Sequence, residues 1–239
     1  MSLYNIADLK VCMELRYKKV LERAEKYLIN EKTLPDITIK ATEEQLQAVV
    51  QRFGTDEYMG EYEYVIVGNE FYHKLLDFKG MMLHSSCVSV DNKAYLFSAK
   101  SGTGKSTHTK LWLELLGDKA VILNDDKPAL RIIDGGVYAY GTPFSGKDPI
   151  NQNLRSEVAA ICFIERAEKN SIHRLTVGEA IPLVLEQTPL KLAKKEMELL
   201  LSVMDEILKT VRVYKLYCNM DVSAAELAYN TMKSGEIDG

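Results

Sequence analysis

The chain has 239 residues, of which 46% are hydrophobic and 27% are charged, as is typical of a globular protein. Its 30 Lys and Arg against 34 Asp and Glu give a net charge of −4, which excludes a general binder of nucleic acids or anionic membranes. The four cysteines are far apart among apolar neighbours, which predicts free thiols in a reducing compartment. No apolar run has the length of a membrane span and no signal peptide is evident, so we expect a cytoplasmic protein.

The first 79 residues predict a small α/β region. Alternating apolar residues at positions 9–15 indicate a strand, and helical spacing follows over residues 17–28. A strand is predicted at residues 37–39, and a capping box then opens a helix that ends before Gly54. A tyrosine-rich helix is predicted over residues 58–76. Because nothing here indicates phosphate or metal chemistry, we interpret its tyrosines as core and domain interface.

A glycine-rich loop separates an apolar strand at residues 94–97 from an amphipathic helix that Gly117 ends. The backbone N–H groups of such a turn, together with the partial positive charge of a helix N-terminus, suit a polyphosphate. Lys105 is expected to reach the β and γ phosphates, and the Ser106 hydroxyl is expected to hold Mg²⁺. The residues expected to bind the nucleotide are Ser101, Gly102, Thr103, Gly104, Lys105, Ser106 and Thr107.

A carboxylate pair follows the next apolar run. Residues 120–123 predict a buried strand, which leads into Asn124, Asp125 and Asp126. A strand that delivers carboxylates at its C-terminal end is the usual second half of a Mg-nucleotide site. Two adjacent acids repel each other unless a cation is present, so we interpret Ser106, Asp125 and Asp126 as metal ligands. The alternative is an ordinary turn after a strand.

Residues 84–126 resemble the superfamily of HPr kinase and ATP-dependent phosphoenolpyruvate carboxykinase. The resemblance rests on the Ser-Gly-x-Gly-Lys-Ser pattern of residues 101–106, on Ala99 at the first glycine position of the usual loop, and on the aspartate pair in the very next strand. His84 lies where HPr kinase-like proteins carry a histidine ahead of the loop. The resemblance implies an α/β (α+β) fold with a mixed-sheet kinase core at residues 80–239 and a smaller N-terminal α/β region at residues 1–79.

The resemblance also implies ATP and Mg²⁺ as cofactors and gives roles to the carboxylates. Ser106 with Asp126 would place Mg²⁺, while Asp125 and His84 would handle the proton of the acceptor. The alternative interpretation of His84 is a structural histidine that is hydrogen-bonded within a strand. His73, His108 and His173 are interpreted as structural or exposed, although His108 stays open because it follows the loop closely.

The rest of the chain predicts a mixed sheet, because hairpins at residues 88–95 and 129–140 flank the candidate site. Further predicted elements are strands at 158–164, 172–175 and 211–216, a helix at 190–208, and a last helix capped by Ser223 and Glu226. Residues 141–147 carry two glycines, two hydroxyls and Lys147, which could form a second anion site opposite the loop. The alternative for this segment is a surface connection. Arg155 is a weaker candidate for the same anion-binding role, and its alternative is a surface ion pair.

The function expected from these features is an ATP-dependent kinase that transfers the γ-phosphate to a hydroxyl, on a serine of a protein or peptide or on the free amino acid. HPr is disfavoured as acceptor because the expected Glu-Ile-Arg-Gly signature is replaced by residues 138–141, Tyr-Ala-Tyr-Gly. A carboxykinase is disfavoured by the short chain. The alternative class is a nucleotide-binding regulatory module without phosphotransfer. No nucleic acid or membrane is expected as partner, and a homo-oligomer is left open.

Overall fold

The computed structural model describes residues 1–188 and 191–234, which form two β-sheets with flanking helices. The strands are β1 (Ser2–Ile6), β2 (Leu9–Glu14), β3 (Leu28–Ile29), β4 (Ile37–Lys40), β5 (Gly80–Met82), β6 (Ser85–Val90), β7 (Lys93–Ser98), β8 (Ala120–Asp126), β9 (Ala129–Ile133), β10 (Gly136–Tyr140), β11 (Arg155–Arg166), β12 (Ser171–Arg174) and β13 (Arg212–Cys218). The helices are α1 (Lys18–Ala24), α2 (Glu43–Phe53), α3 (Met59–Leu75), α4 (Lys105–Leu116), α5 (Val177–Glu186), α6 (Lys194–Thr210) and α7 (Val222–Ser234).

The N-terminal region forms a sheet of four strands in the order β3-β1-β2-β4. The predicted capping box is confirmed, because Thr42 and Gln45 exchange side chain-to-backbone hydrogen bonds at the start of α2. Gly54 ends that helix with a φ of 74°, a conformation that glycine adopts at little cost. The sequence does not predict β1, a short strand in which only Tyr4 and Ile6 are buried.

The larger sheet contains nine strands and is mixed, as expected. Seven of them follow the order β5-β9-β10-β11-β7-β6-β8, while β13 pairs with β11 and with β12. Strand β7 runs parallel to β11, and β11 runs parallel to β13. Because β6 is antiparallel to both β7 and β8, those two strands share one direction. The carboxyl ends of β7, β8, β11 and β13 therefore meet at one edge, which carries the glycine-rich loop and the aspartate pair.

Helices cover both faces of the larger sheet. One face packs against α4 and α7 in an apolar core that includes Trp112 and Met232. The other face packs against α5 and α6, with Val184 and Leu200 in its core. The core of the N-terminal region also takes in Phe144, which comes from the later part of the chain. The division of the chain at residues 79 and 80 stays a prediction. Within the described ranges, no helix is both long and apolar enough to span a bilayer.

Three features of the C-terminal third differ from the sequence prediction. Helix α5 is not predicted, because Pro182 lies inside it and proline normally ends a helix. The helix predicted from residue 190 begins instead at Lys194, where the Glu196 carboxylate accepts the Ala193 N–H at 2.7 Å; Leu190 lies outside the described residues. The last helix begins at Val222, so Ser223 lies inside it. Its first turn is capped by Asp221, whose carboxylate accepts the Ser223 N–H at 2.9 Å.

Candidate functional site

The glycine-rich loop, residues 99–104, connects β7 to the first turn of α4. Gly102 and Gly104 have φ angles of 76° and 119°, which side chain-bearing residues rarely adopt. The first backbone N–H of α4 with an acceptor is that of His108, which donates to the Gly104 carbonyl at 2.9 Å. Among the residues that the structure describes, the N–H groups of Lys105, Ser106 and Thr107 have no acceptor. Such a group of free donors at a helix N-terminus fits an anion.

Arg166, at the end of β11, braces the glycine-rich loop from the neighbouring strand. Its guanidinium donates to the Thr103 carbonyl at 2.9 Å and to the Gly102 carbonyl at 2.5 Å. These contacts turn the loop carbonyls toward Arg166. The sequence gives no signal for this contact, because Arg166 is an exposed arginine at the end of a strand about sixty residues downstream of the loop.

Lys105 is buried beside the loop, with 9% of its surface exposed. Its ammonium donates to the Ala99 carbonyl at 3.2 Å. Burial lowers the pKa of Lys105, and the nearby Asp126 and Asp125 carboxylates oppose that change. Within the described ranges this ammonium has no carboxylate in ion-pair contact, so it has unused capacity for an anionic ligand.

Asp125 lies against two serine hydroxyls. Its Oδ1 accepts a hydrogen bond from Ser106 at 3.0 Å and another from Ser86 of β6. Hydroxyl and carboxylate oxygens are ligands that Mg²⁺ prefers. The structure shows no group of three or more His, Cys, Asp or Glu in its described residues that could hold a metal ion. Ser106 and Asp125 therefore fit Mg²⁺ only as a partial ligand set, which water and phosphate oxygens would complete.

Asp126 lies between the side chains of His84 and Lys127. Its carboxylate is 2.8 Å from Nε2 of His84 and 2.9 Å from Nζ of Lys127. Burial by itself would raise the pKa of Asp126, but the hydrogen bond from His84 and the charge of Lys127 outweigh it and hold that pKa well below its ordinary value. The backbone of Asp126 has a φ of 118°, a strained value for a residue other than glycine. Strain of this kind is concentrated at functional sites.

His84 connects Asp126 to the segment that follows α5. Nδ1 of its ring lies 3.0 Å from the amide oxygen of Gln187, and its backbone N–H donates to the Gln187 carbonyl at 2.8 Å. Ser98 also binds the His84 carbonyl at 2.7 Å. Both ring nitrogens of His84 therefore have an oxygen partner, Gln187 at Nδ1 and Asp126 at Nε2.

The partners of the two carboxylates differ from the expected division. The expectation joined Ser106 to Asp126 and His84 to Asp125, whereas the structure joins Ser106 to Asp125 and His84 to Asp126. The two adjacent carboxylates also have separate hydrogen-bond partners. Their catalytic and metal-binding roles stay predictions.

The 141–147 loop is held from the N-terminal region by Arg23 of α1. The guanidinium donates to the carbonyls of Ser145, Gly146 and Lys147 at 3.1, 2.9 and 2.9 Å. The Gly146 N–H then donates to the Asp125 carbonyl at 2.6 Å. Arg23 is therefore linked to the aspartate pair through one intermediate residue, Gly146. The sequence gives no sign of this, since Arg23 lies in an ordinary lysine- and glutamate-rich helix.

Helix α3 fixes both Arg23 and the 141–147 loop. Its fully buried Glu63 accepts the backbone N–H groups of Arg16 and Tyr17 at 2.9 and 3.0 Å, which anchors the start of α1. One turn on, Gly68 makes room for the Phe144 ring, which a Cβ at that position would meet at 3.0 Å. Helix α3 therefore packs against both the start of α1 and Phe144 of the 141–147 loop, while the reading of its tyrosines as a domain interface stays a prediction.

The remaining candidate residues lie outside this network. The Lys147 side chain is exposed and has no hydrogen bond or ion pair within residues 1–188 and 191–234. Arg155 forms an ion pair with Asp8 at the surface, which was the plainer of its two interpretations. His73 binds Glu196 at 2.8 Å, and His173 is exposed.

Comparison of the chain with protein-family models gives no match, and comparison with curated proteins gives none either. Among solved structures, the chain is similar to the HPr(Ser) kinase/phosphatase from Coxiella burnetii, with a TM-score of 0.39 and 11% identity, over 66% of this chain and 99% of that chain. A similarity of this size assigns no residue and no ligand. The site's own geometry has to carry any functional conclusion.

Proposed function

We propose that the protein is an ATP-dependent kinase that transfers the γ-phosphate to a hydroxyl, on a serine of a protein or peptide or on the free amino acid. One observation carries the proposal. A turn with free N–H groups and a buried lysine lies at the same sheet edge as two carboxylates with separate partners, one on Ser106 and one on His84. Phosphoryl transfer requires two kinds of groups, those that bind the phosphates and those that align the acceptor.

The donor phosphates are assigned to the glycine-rich loop. The free N–H groups of Lys105, Ser106 and Thr107 would bind phosphate oxygens, and the Lys105 ammonium would neutralise their charge. Ser106 and Asp125 would hold Mg²⁺, which when bound supplies charge neutralisation on the transferred group. Because Ser106 already contacts Asp125 at 3.0 Å, only small side-chain movements are required to present both oxygens to one ion.

The acceptor hydroxyl is assigned to Asp126. The transition state of phosphoryl transfer is loose, so the acceptor needs alignment more than a strong base. A carboxylate held ionised by His84 and Lys127 can accept a hydrogen bond from the hydroxyl and, after transfer, its proton.

A cleft of about 630 Å³ beside α1 offers a place for the rest of the acceptor, next to the 141–147 loop that Arg23 holds. Its lining combines the cationic side chains of Lys18, Lys19, Arg23 and Lys26 with one carboxylate, Glu22, which pairs with Lys18 at 3.3 Å. The cationic side chains favour an acceptor that carries negative charge near its hydroxyl.

The test is a labelling screen with [γ-³²P]ATP and Mg²⁺, run on the full chain with free serine, serine peptides with acidic or basic flanks, HPr and a cell extract. The proposal predicts label on at least one serine-bearing acceptor, and none with the Lys105→Ala variant as matched control. Tight ATP binding without transfer to any acceptor would favour the regulatory module instead. Absence of ATP binding would contradict both functions.

A further inference from the structure

A buried histidine next to the glycine-rich loop has an unpartnered N–H. His108 lies in α4 with 3% of its surface exposed, and the indole Nε1 of Trp112 is 3.2 Å from its Nε2. An indole N–H can only donate, so Nε2 of His108 accepts and carries no proton. The ring nitrogen left to carry the N–H is therefore Nδ1.

No hydrogen-bond partner of this Nδ1 is present in the part of the chain that the structure describes. The ring is also packed in place, because the Phe97 ring contacts it edge-on with centroids 4.6 Å apart. A buried donor without a partner is rare in folded proteins, and it indicates a ligand or an ordered water. The residues around Nδ1 therefore indicate which kind of acceptor it binds.

His108 lines a cleft that opens beside the glycine-rich loop. The loop side of the lining includes Gly104 and Thr107. The opposite side is formed by the C-terminal ends of β11 and β13 and by Asn219 and Met220, which follow β13. The volume of this cleft is about 20 Å³. One water fills this volume, so a larger group needs a side chain to move. Met220 is 76% exposed and flexible enough to do so.

We infer that this cleft receives the nucleoside part of the donor, with the His108 Nδ1–H donating to a ribose oxygen or to a ring nitrogen or carbonyl of the base. The inference rests on the proposed function. Thr107 belongs both to the free N–H groups of α4 and to the lining of the cleft, so a nucleoside that continues from bound phosphates enters there. Leu111, Ile164 and Met220 provide apolar surface for a base.

The test compares two ligands that share three phosphates and differ in the nucleoside. Isothermal titration of the full chain with Mg-ATP and with Mg-bound inorganic triphosphate should show at least roughly tenfold tighter binding of ATP. His108→Gln keeps an acceptor for Trp112 but removes the Nδ1 donor, so it should weaken ATP binding roughly two- to tenfold, the worth of one hydrogen bond. Its binding of inorganic triphosphate should be unchanged.

Two further variants complete the design. His108→Asn keeps an N–H near the δ position and should retain more of the ATP preference, although Trp112 then loses its acceptor and the melting temperature falls. His173→Gln makes the same change at an exposed histidine and should alter neither affinity.

Equal affinity of the wild type for the two ligands would overturn the inference, and so would an equal loss of both ligands in His108→Gln. A wild type that binds inorganic triphosphate tightly but gains nothing from the nucleoside would leave the phosphate site standing and remove only the nucleoside subsite. A wild type that binds neither ligand would overturn the proposed function and this inference together. The wild-type comparison decides the matter even if a His108 variant does not fold.

Discussion

The two sides of the candidate site are built in different ways. On the side of the glycine-rich loop, the groups proposed to bind the phosphates come from one contiguous stretch, residues 101–107, and Arg166 of the neighbouring strand braces that stretch through two of its carbonyls. On the N-terminal side, Arg23 and Tyr64 hold the 141–147 loop through contacts between residues 81 to 124 positions apart. The two sides meet at Asp125, whose carbonyl binds Gly146 and whose carboxylate binds Ser106.

This difference indicates a division of work. A local turn can form a phosphate site without the N-terminal region, because its donors belong to its own backbone. Alignment of an acceptor depends on the long-range contacts, because they set the position of the loop beside Asp125. Substitutions on one side should therefore change nucleotide binding, and substitutions on the other should change transfer with little change in binding.

The largest expected effect is that of Asp126→Asn. Removal of the carboxylate that faces the acceptor should lower kcat by about 10²–10⁴-fold, the usual contribution of acid–base groups. The KM for ATP should change little, because Asp126 contacts His84 and Lys127 and not the glycine-rich loop. Steady-state kinetics with an identified acceptor measures both.

Asp125→Asn is the matched control for that prediction. It keeps the size of the side chain but weakens the oxygen that Ser106 contacts, so it should raise the Mg²⁺ concentration needed for half-maximal rate. If Asp125→Asn suppresses transfer at saturating Mg²⁺ and Asp126→Asn only shifts the Mg²⁺ requirement, the roles are those first expected from the sequence.

Lys147→Ala tests whether the 141–147 loop supplies a positive charge to the site or acts only as a scaffold. The ammonium is exposed and unpaired within the described residues, so it is available to move to the phosphoryl group. Loss of one donor that stabilises transition-state charge lowers kcat by about 10²–10³-fold. Rates at saturating ATP should fall by that factor, whereas a wild-type rate would make the loop a scaffold only.

Arg23→Lys should have a smaller effect of the same kind. A lysine keeps the charge but cannot form the forked bonds to three carbonyls, so the loop shifts relative to Asp125. Small displacements of positioning groups are costly, and we expect kcat to fall roughly tenfold at an unchanged KM for ATP. Arg16→Lys, in the same region but without a contact to the loop, is the control. A loss of ATP affinity in Arg23→Lys would contradict the division between the two sides.

The smallest effect concerns stability in acid. The pKa of Asp126 is lowered in the folded protein, so its contribution is complete above the unfolded value near 3.9 and is lost as pH falls through the folded value. In Mg²⁺-free buffer, Asp126→Asn should lower the free energy of unfolding by roughly 1.5–3 kcal/mol at pH 7, as expected for hydrogen bonds to charged groups. That difference should shrink below about pH 4. Urea unfolding at pH 7 and pH 3 measures it, and a difference independent of pH would refute the assignment.

The same contrast explains what the sequence can predict. The strand, loop, helix and second strand of residues 94–126 are confirmed by the structure, because their signals lie in local spacing and in the glycines. Arg23 and Gln187 have no local signal, since only the folded chain brings them to the 141–147 loop and to His84. The exchange of partners between the aspartates follows from the geometry at the end of β8, where Asp126 adopts a φ of 118° that sequence spacing does not reveal.

The most direct test of the account is calorimetric titration of Mg-ATP into the wild type and into two variants, Lys105→Ala and Arg23→Lys, each first shown to be folded by thermal melting. The account predicts that Arg23→Lys binds like the wild type and that Lys105→Ala shows no measurable binding, because Lys105 is the buried cation of the glycine-rich loop. Wild-type affinity in a folded Lys105→Ala variant would contradict the account and place the nucleotide elsewhere.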